Sequence, residues 1–170
     1  IVDSTGKYNA NWAYHLMEDE DGKLWIATCL GGILVVDKRQ MAESKAEYHT
    51  AAYNFSTDNG LSGMFINQLI PDHEGNVWAL VYNNGIDKIN IRSRKVSHLH
   101  TDSLTGENKP NFILCDETGQ IWAGFRSGVL RINPRNNQIK VVRFGSFSNN
   151  EILSMLEVEG CICLLYTSPS

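Results

Sequence analysis

The chain is a succession of short apolar runs separated by clusters of Gly, Asn, Asp and Ser. Three stretches repeat one order of events. An apolar run leads into an acidic turn that closes on glycine, and a polar residue, an aliphatic residue and a tryptophan follow. The turn glycines are Gly22, Gly75 and Gly119, and Trp25, Trp78 and Trp122 stand three residues after them. A second glycine, Gly32, Gly85 or Gly128, comes 7, 7 and 6 residues after the tryptophan. A short apolar strand then ends at Asp37, Asn90 or Asn133, five residues beyond that glycine.

In the second copy the apolar runs predict four strands, over 65–70, 77–82, 86–91 and 96–100. They are aliphatic or aromatic and bounded by turn residues. The links are tight. The turns at 72–75 and 83–85 hold residues that tolerate positive φ. Strands joined this closely pair antiparallel, because a parallel crossover needs a longer connection. The tryptophans are spaced 53 and 44 residues apart, against about 40–45 for a four-stranded propeller blade. The longer interval carries a charged, Ala-containing stretch over 38–50, an inserted loop with room for one helical turn.

One such sheet buries too little apolar surface to stand alone. Copies stacked side by side share a core between their faces. A solenoid of hairpins is the competing geometry, but the spacing and the lack of helices favour radial stacking. The fold class expected is all-β: a β-propeller fragment of about three four-stranded antiparallel blades plus a partial blade. Trp25, Trp78 and Trp122 are then blade-to-blade packing residues. Since propellers close with about 4–8 blades, the chain is expected to be a piece of a longer protein whose end blades expose apolar faces. A fourth copy begins at Ile152 and reaches Gly160, where the tryptophan position holds Cys163. Residues 1–160 are therefore assigned to the partial propeller. Residues 161–170 form an off-pattern tail, expected to be non-native read-through, with a degenerate blade as the alternative.

Composition narrows the function classes. The net charge of −4 offers no broad basic surface for a phosphate backbone, so nucleic acid is not an expected partner. The longest nearly apolar run, 24–36, has 13 residues, short of the roughly 20 that span a bilayer. No signal peptide is visible, and a start at Ile1 implies that the natural N-terminus lies elsewhere. Cys29 and Cys115 read as small buried residues, and Cys161 and Cys163 lack a second pair for zinc.

The residues of the second copy, Gly60, Leu61 and Ser62, then Asp72, Gly75, Asn76, Val77 and Trp78, resemble the two-component regulator propeller repeat. Asp19, Gly22, Leu24 and Trp25, and Asp116, Gly119, Ile121 and Trp122, follow the same pattern. So do Ala27, Thr28, Gly31 and Gly32 after the first tryptophan. Leu80 and Val81 depart from it, and the turn equivalent at 103–105 is blurred. The resemblance covers roughly residues 9–160. It implies the extracytoplasmic, periplasmic sensor region of a hybrid histidine kinase anchored in the inner membrane. It further implies an oligosaccharide ligand, self-association as a dimer, and control of glycan-use genes. The alternatives are a propeller-type polysaccharide lyase or hydrolase, or a protein-interaction scaffold.

Catalytic chemistry finds no support in the sequence. Asp19 with Asp21, Asp72 with Glu74, and Asp116 with Glu117 resemble acid–base pairs. A feature repeated in every copy serves the blade, however, and Asp at such a turn accepts from nearby backbone amides. His98 and His100 share one face of a strand, as two metal ligands would. With no third ligand placed, neither a metal site nor a cofactor is expected. Kinase, phosphate-loop and nucleophile motifs are absent, so this piece is expected to be non-enzymatic. Aromatic and polar residues suited to a sugar include Tyr53, Phe55, Tyr82 and Phe125, with Asn83, Asn84, Arg126 and Asn149. Nothing ranks them, so the binding residues stay open.

Overall fold

Each apolar run of the repeat becomes one strand because its neighbours in sequence are turn residues and its neighbours in space are other strands of the same copy. The computed structural model describes residues 1, 12–43, 51–106, 109–126, 128–142 and 151–167. The first blade is β1 (Ala13–Glu18), β2 (Lys23–Thr28), β3 (Ile33–Asp37) and β4 (Tyr53–Phe55), hydrogen-bonded in that order. The second is β5 (Ile66–Pro71), β6 (Asn76–Val81), β7 (Gly85–Asn90) and β8 (Val96–Leu99). The third is β9 (Phe112–Cys115), β10 (Ile121–Phe125), β11 (Gly128–Ile132) and β12 (Ile139–Val142). A final hairpin pairs β13 (Ile152–Val158) with β14 (Cys161–Tyr166).

All neighbouring strands within a blade are antiparallel. The expected β-propeller fragment is what the chain forms, with the second-blade strands within one residue of their predicted ends. The inserted stretch supplies one short helix, α1 (Lys38–Glu43), and the second linker supplies α2 (Asp102–Thr105). Residues 44–50 of the insertion lie outside the described residues. Among the described residues no helix is long and apolar enough to cross a membrane.

The first strands β1, β5, β9 and β13 lie against one another in succession, so they stand nearest the common axis. Blades join through their faces. Trp25 is fully buried with Met17, Val35 and Phe55 of its own blade and Ile66, Leu69 and Val81 of the next. Trp78 is buried the same way against Ile113, Ile121 and Phe125 of the third blade. Trp122 packs towards Ile152 and Met155 of the last hairpin but is only partly buried, because that hairpin is half a blade. Polar clamps join the inner strands as well. The Gln68 carboxamide donates to the Ile113 carbonyl and accepts from the Ile113 amide, both at 3.0 Å. Leu156, Val158 and Leu165 of the last hairpin are exposed, whereas on the outward face of the first blade Leu16 is exposed but Ile26, Leu34 and Val36 are buried together with Ala51.

The acidic turns are internal staples. Asp72 Oδ1 accepts from the amides of Glu74 and Asn76 at 2.8 Å, and Oδ2 accepts the Trp78 indole N–H at 2.8 Å. Asp19 binds Asp21, Lys23 and the Trp25 indole alike, and Asp116 binds Thr118, Gln120 and the Trp122 indole. The six-residue spacing from Asp to Trp brings the carboxylate from the turn across to the second strand. The tail hairpin lacks this aspartate. It turns instead on Glu159 and Gly160, both with positive φ, 51° and 73°, the geometry of a tight two-residue hairpin.

Asp116 shows what the staple does electrostatically. Burial alone pushes its carboxyl up, but hydrogen bonds from Trp122, Thr118 and Gln120 outweigh that and hold it below the ordinary carboxylate value. A depressed folded pKa contributes stability that is fully present above the unfolded value, about 3.9, and is lost as pH falls through the folded value. Carbon-13 NMR of the Asp116 carboxyl is expected to give a midpoint below that ordinary value. Asp116→Asn is expected to flatten the acid side of the stability curve. A midpoint at or above the ordinary value would refute the staple's electrostatic part.

Candidate functional site

A propeller presents two rims, and the repeat assigns different chemistry to each. One rim carries the β1–β2 and β3–β4 turns. There a cleft of about 560 Å³ opens between the first two blades, lined by Asp19, Glu20, Asp21, His73, Glu74 and Arg92 among others. Its carboxylates suggest acid–base work, but Asp19 is engaged by its own turn and by Trp25. Glu74 accepts from Arg135 Nε at 2.7 Å. These groups tie turns and blades together.

The opposite rim carries the β2–β3 turns and the strands' entry from the linkers, and exposed aromatic side chains stand on it. Tyr14 and Tyr82 are about half exposed, and the partly buried Phe65 lies between them. The ring centroids are 4.9 Å apart in both pairs, tilted 50° for Tyr14–Phe65 and 30° for Phe65–Tyr82. The sequence produces this shelf locally. The β1–β2 register slips between Ala13 and His15 and the β5–β6 register between Ile66 and Gln68, so Tyr14 and Asn67 are the extra residues of two β-bulges. A bulge re-aims a side chain out of the ladder. Tyr82 is fixed by its amide, which donates to the Phe65 carbonyl at 2.8 Å.

Polar groups stand beside the shelf. Asn83 holds φ 61° in the β6–β7 turn. Asn84 Nδ2 donates to the Ser62 carbonyl at 2.6 Å, pinning that turn to the linker. Asn67 and Asn111 occupy the position of Tyr14 in the next two copies, each eleven residues before its tryptophan (78−67, 122−111, as 25−14). Among the described residues neither carboxamide has a protein hydrogen-bond partner.

The structure sorts the sequence candidates. Tyr82, Asn83 and Asn84 come together on this rim, and Arg126 is exposed in the corresponding turn of the third blade. Phe55 and Phe125 are not available to a ligand. Phe55 is 2% exposed and stacked on Trp25, with centroids 5.4 Å apart, and Phe125 is fully buried. Both sit on inward strand faces, which adjacent glycines and polar residues had disguised. Tyr53 is half-buried, with the Arg94 guanidinium 4.0 Å above its ring. Asn149 lies outside the described residues. Tyr14 and Phe65 were missed, because an aromatic beginning an apolar run reads as core; a bulge turns Tyr14 outward, and Phe65 stands just before β5.

Cysteine and histidine chemistry is modest. Cys29 and Cys115 are partly buried rather than buried, and neither forms a disulfide. The Cys115 thiol is pushed up to about 11, first by burial and then by the Asp116 carboxylate, so it stays protonated and unreactive at neutral pH.

The family model for the two-component regulator propeller matches residues 7–29. Two solved structures of the extracellular domain of BT4673 from B. thetaiotaomicron, one described as a one-component and the other as a hybrid two-component system, are 57% and 58% identical to the chain. They superpose with TM-scores of 0.92 and 0.91 over 98% and 97% of it. The chain spans 23% and 22% of their lengths. The extracellular domain of the hybrid two-component system BT3049 from B. thetaiotaomicron shares the fold at 19% identity and TM-score 0.67, covering 91% of this chain and 19% of its own. Virginiamycin B lyase from Staphylococcus aureus shares it at 17% and 0.58, covering 84% and 45%. No curated protein matches the chain.

Proposed function

From the premise that this chain belongs to the two-component regulator propeller family, we propose that it is a non-catalytic part of the extracytoplasmic ligand-sensing region of a hybrid two-component system. Its ligand in this reading is an oligosaccharide, and its output is transcription of glycan-use genes. The extracellular location in the neighbours' descriptions supports a place outside the cytoplasm. The inner-membrane anchor and a dimeric sensor belong to the same proposal.

The observation that carries the ligand class is the shelf of Tyr14, Phe65 and Tyr82. Exposed rings offer flat apolar faces to the C–H side of a pyranose, and neighbouring Asn67, Asn83 and Asn111 offer donors and acceptors to hydroxyls. Among the described residues no pair of carboxylates is placed against these rings, and the shelf suits recognition rather than cleavage.

The intact sensor region should bind at least one member of an oligosaccharide panel in calorimetry, without turnover. Tyr82→Ala and Tyr14→Ala are each expected to weaken that binding about tenfold, the equivalent of one lost ring contact. Both rings are exposed, so circular dichroism should not change. Unaltered affinity in both variants, or hydrolysis of the bound sugar, would overturn the reading.

A further inference from the structure

The outer edge of the second blade holds an arrangement that sensing does not use. Asp87 is fully buried at the middle of β7, directly across the ladder from His98 on β8. One carboxylate oxygen, Oδ2, accepts from the Ser62 amide at 2.8 Å and the Ser62 hydroxyl at 3.1 Å. The other, Oδ1, lies 2.7 Å from His98 Nδ1. A carboxylate only accepts, so Nδ1 donates in this bond and Nε2 is the ring nitrogen left for another partner. A buried carboxylate behind an imidazole is how proteins orient a metal-ligating histidine.

His100 follows two residues later, just past the end of β8, and is exposed. Its ring meets that of His98 edge to face, with centroids 4.6 Å apart and planes at 86°. A centroid separation of 4.6 Å lies within the roughly 6.4 Å that two imidazoles can span across one ion with bonds of about 2.1 Å, once the exposed His100 ring turns to aim a nitrogen at it.

We propose that His98 and His100 form a two-imidazole site for a borderline divalent metal ion, Cu²⁺, Ni²⁺ or Zn²⁺. Sequence spacing alone placed no third ligand. What the fold adds is Asp87, which fixes one ring's tautomer and orientation from behind. Among the described residues no cluster of three or more potential ligands exists, so water completes the coordination sphere and the ion exchanges readily. Imidazole donors favour these ions over Mg²⁺ or Ca²⁺.

The test is Cu²⁺ titration of the intact protein by calorimetry and electron paramagnetic resonance, after alkylation of the exposed Cys161 and Cys163. Wild type is expected to bind one equivalent with a two-nitrogen signal. His98→Gln and His100→Gln should each weaken binding at least tenfold, and Asp87→Asn about 10–100-fold. His73→Gln should have no effect. His100 is exposed, so its variant folds even if Asp87→Asn does not. Wild-type affinity in His100→Gln, or a signal without imidazole nitrogen, overturns the site.

Discussion

Trp78→Ala is expected to destabilise the chain by about 3–5 kcal/mol, the range for truncating a large buried aromatic. The ring is 1% exposed and closes the core between the second and third blades. Its indole N–H also donates to a carboxylate that is itself buried. A double-mutant cycle separates these effects. Trp78→Phe keeps most of the ring and removes the donor. Asp72→Ala removes the acceptor together with the bonds to Glu74 and Asn76. Urea unfolding should show a coupling of about 1–3 kcal/mol between the two, as for a charge-assisted hydrogen bond. Trp122→Ala should cost less than Trp78→Ala, because only a hairpin covers that ring. Equal losses for the two tryptophans, or additive behaviour in the cycle, would show that the staple and the inter-blade core are not what hold the blades.

Gly32→Ala is the second large effect. Gly32 sits at φ 68°, and a Cβ there would lie 2.2 Å from the Phe55 carbonyl oxygen and 3.3 Å from Leu61 Cδ1. The obstacle is backbone of β4, which cannot rotate away. The β3–β4 join must open, carrying Phe55 off the face of Trp25. Gly75 is the control. Its φ is 77°, yet a Cβ there meets nothing within 4 Å. Gly75→Ala therefore reports the left-handed backbone alone, about 1–2 kcal/mol. Gly32→Ala adds the clash and is expected to lose about 3 kcal/mol or more. Thermal unfolding of the pair measures the difference. Equal losses would mean that the β3–β4 join yields without strain.

The staple residues were legible because every part of each staple lies within seven consecutive residues: Asp72, the turn, and Trp78, repeated at Asp19 and Asp116. The strand order followed from the turn lengths. The shelf was only half legible. Tyr82, Asn83 and Asn84 are adjacent in sequence and were found, whereas Tyr14 and Phe65 became neighbours through a bulge and an inter-blade contact. Phe55 and Phe125 carried the same side-chain type and gave the opposite outcome, because which strand face points inward is set by register. The metal pair shows the same limit. His98 and His100 were visible as a spacing, but the carboxylate behind them comes from a paired strand.

The amino-acid order by itself determined the blade: its four strands, its acidic turn, the tryptophan that turn grips, and the number of copies. Those features arise from propensities and hydrogen bonds spanning a few residues, so local sequence contains all their terms. Tertiary structure alone decided which aromatics reach solvent, that Gln68 clasps Ile113, and that Asp87 stands behind His98. These contacts join positions 11 to 51 residues apart, and their geometry comes from sheet twist, strand register and the radial stacking of blades.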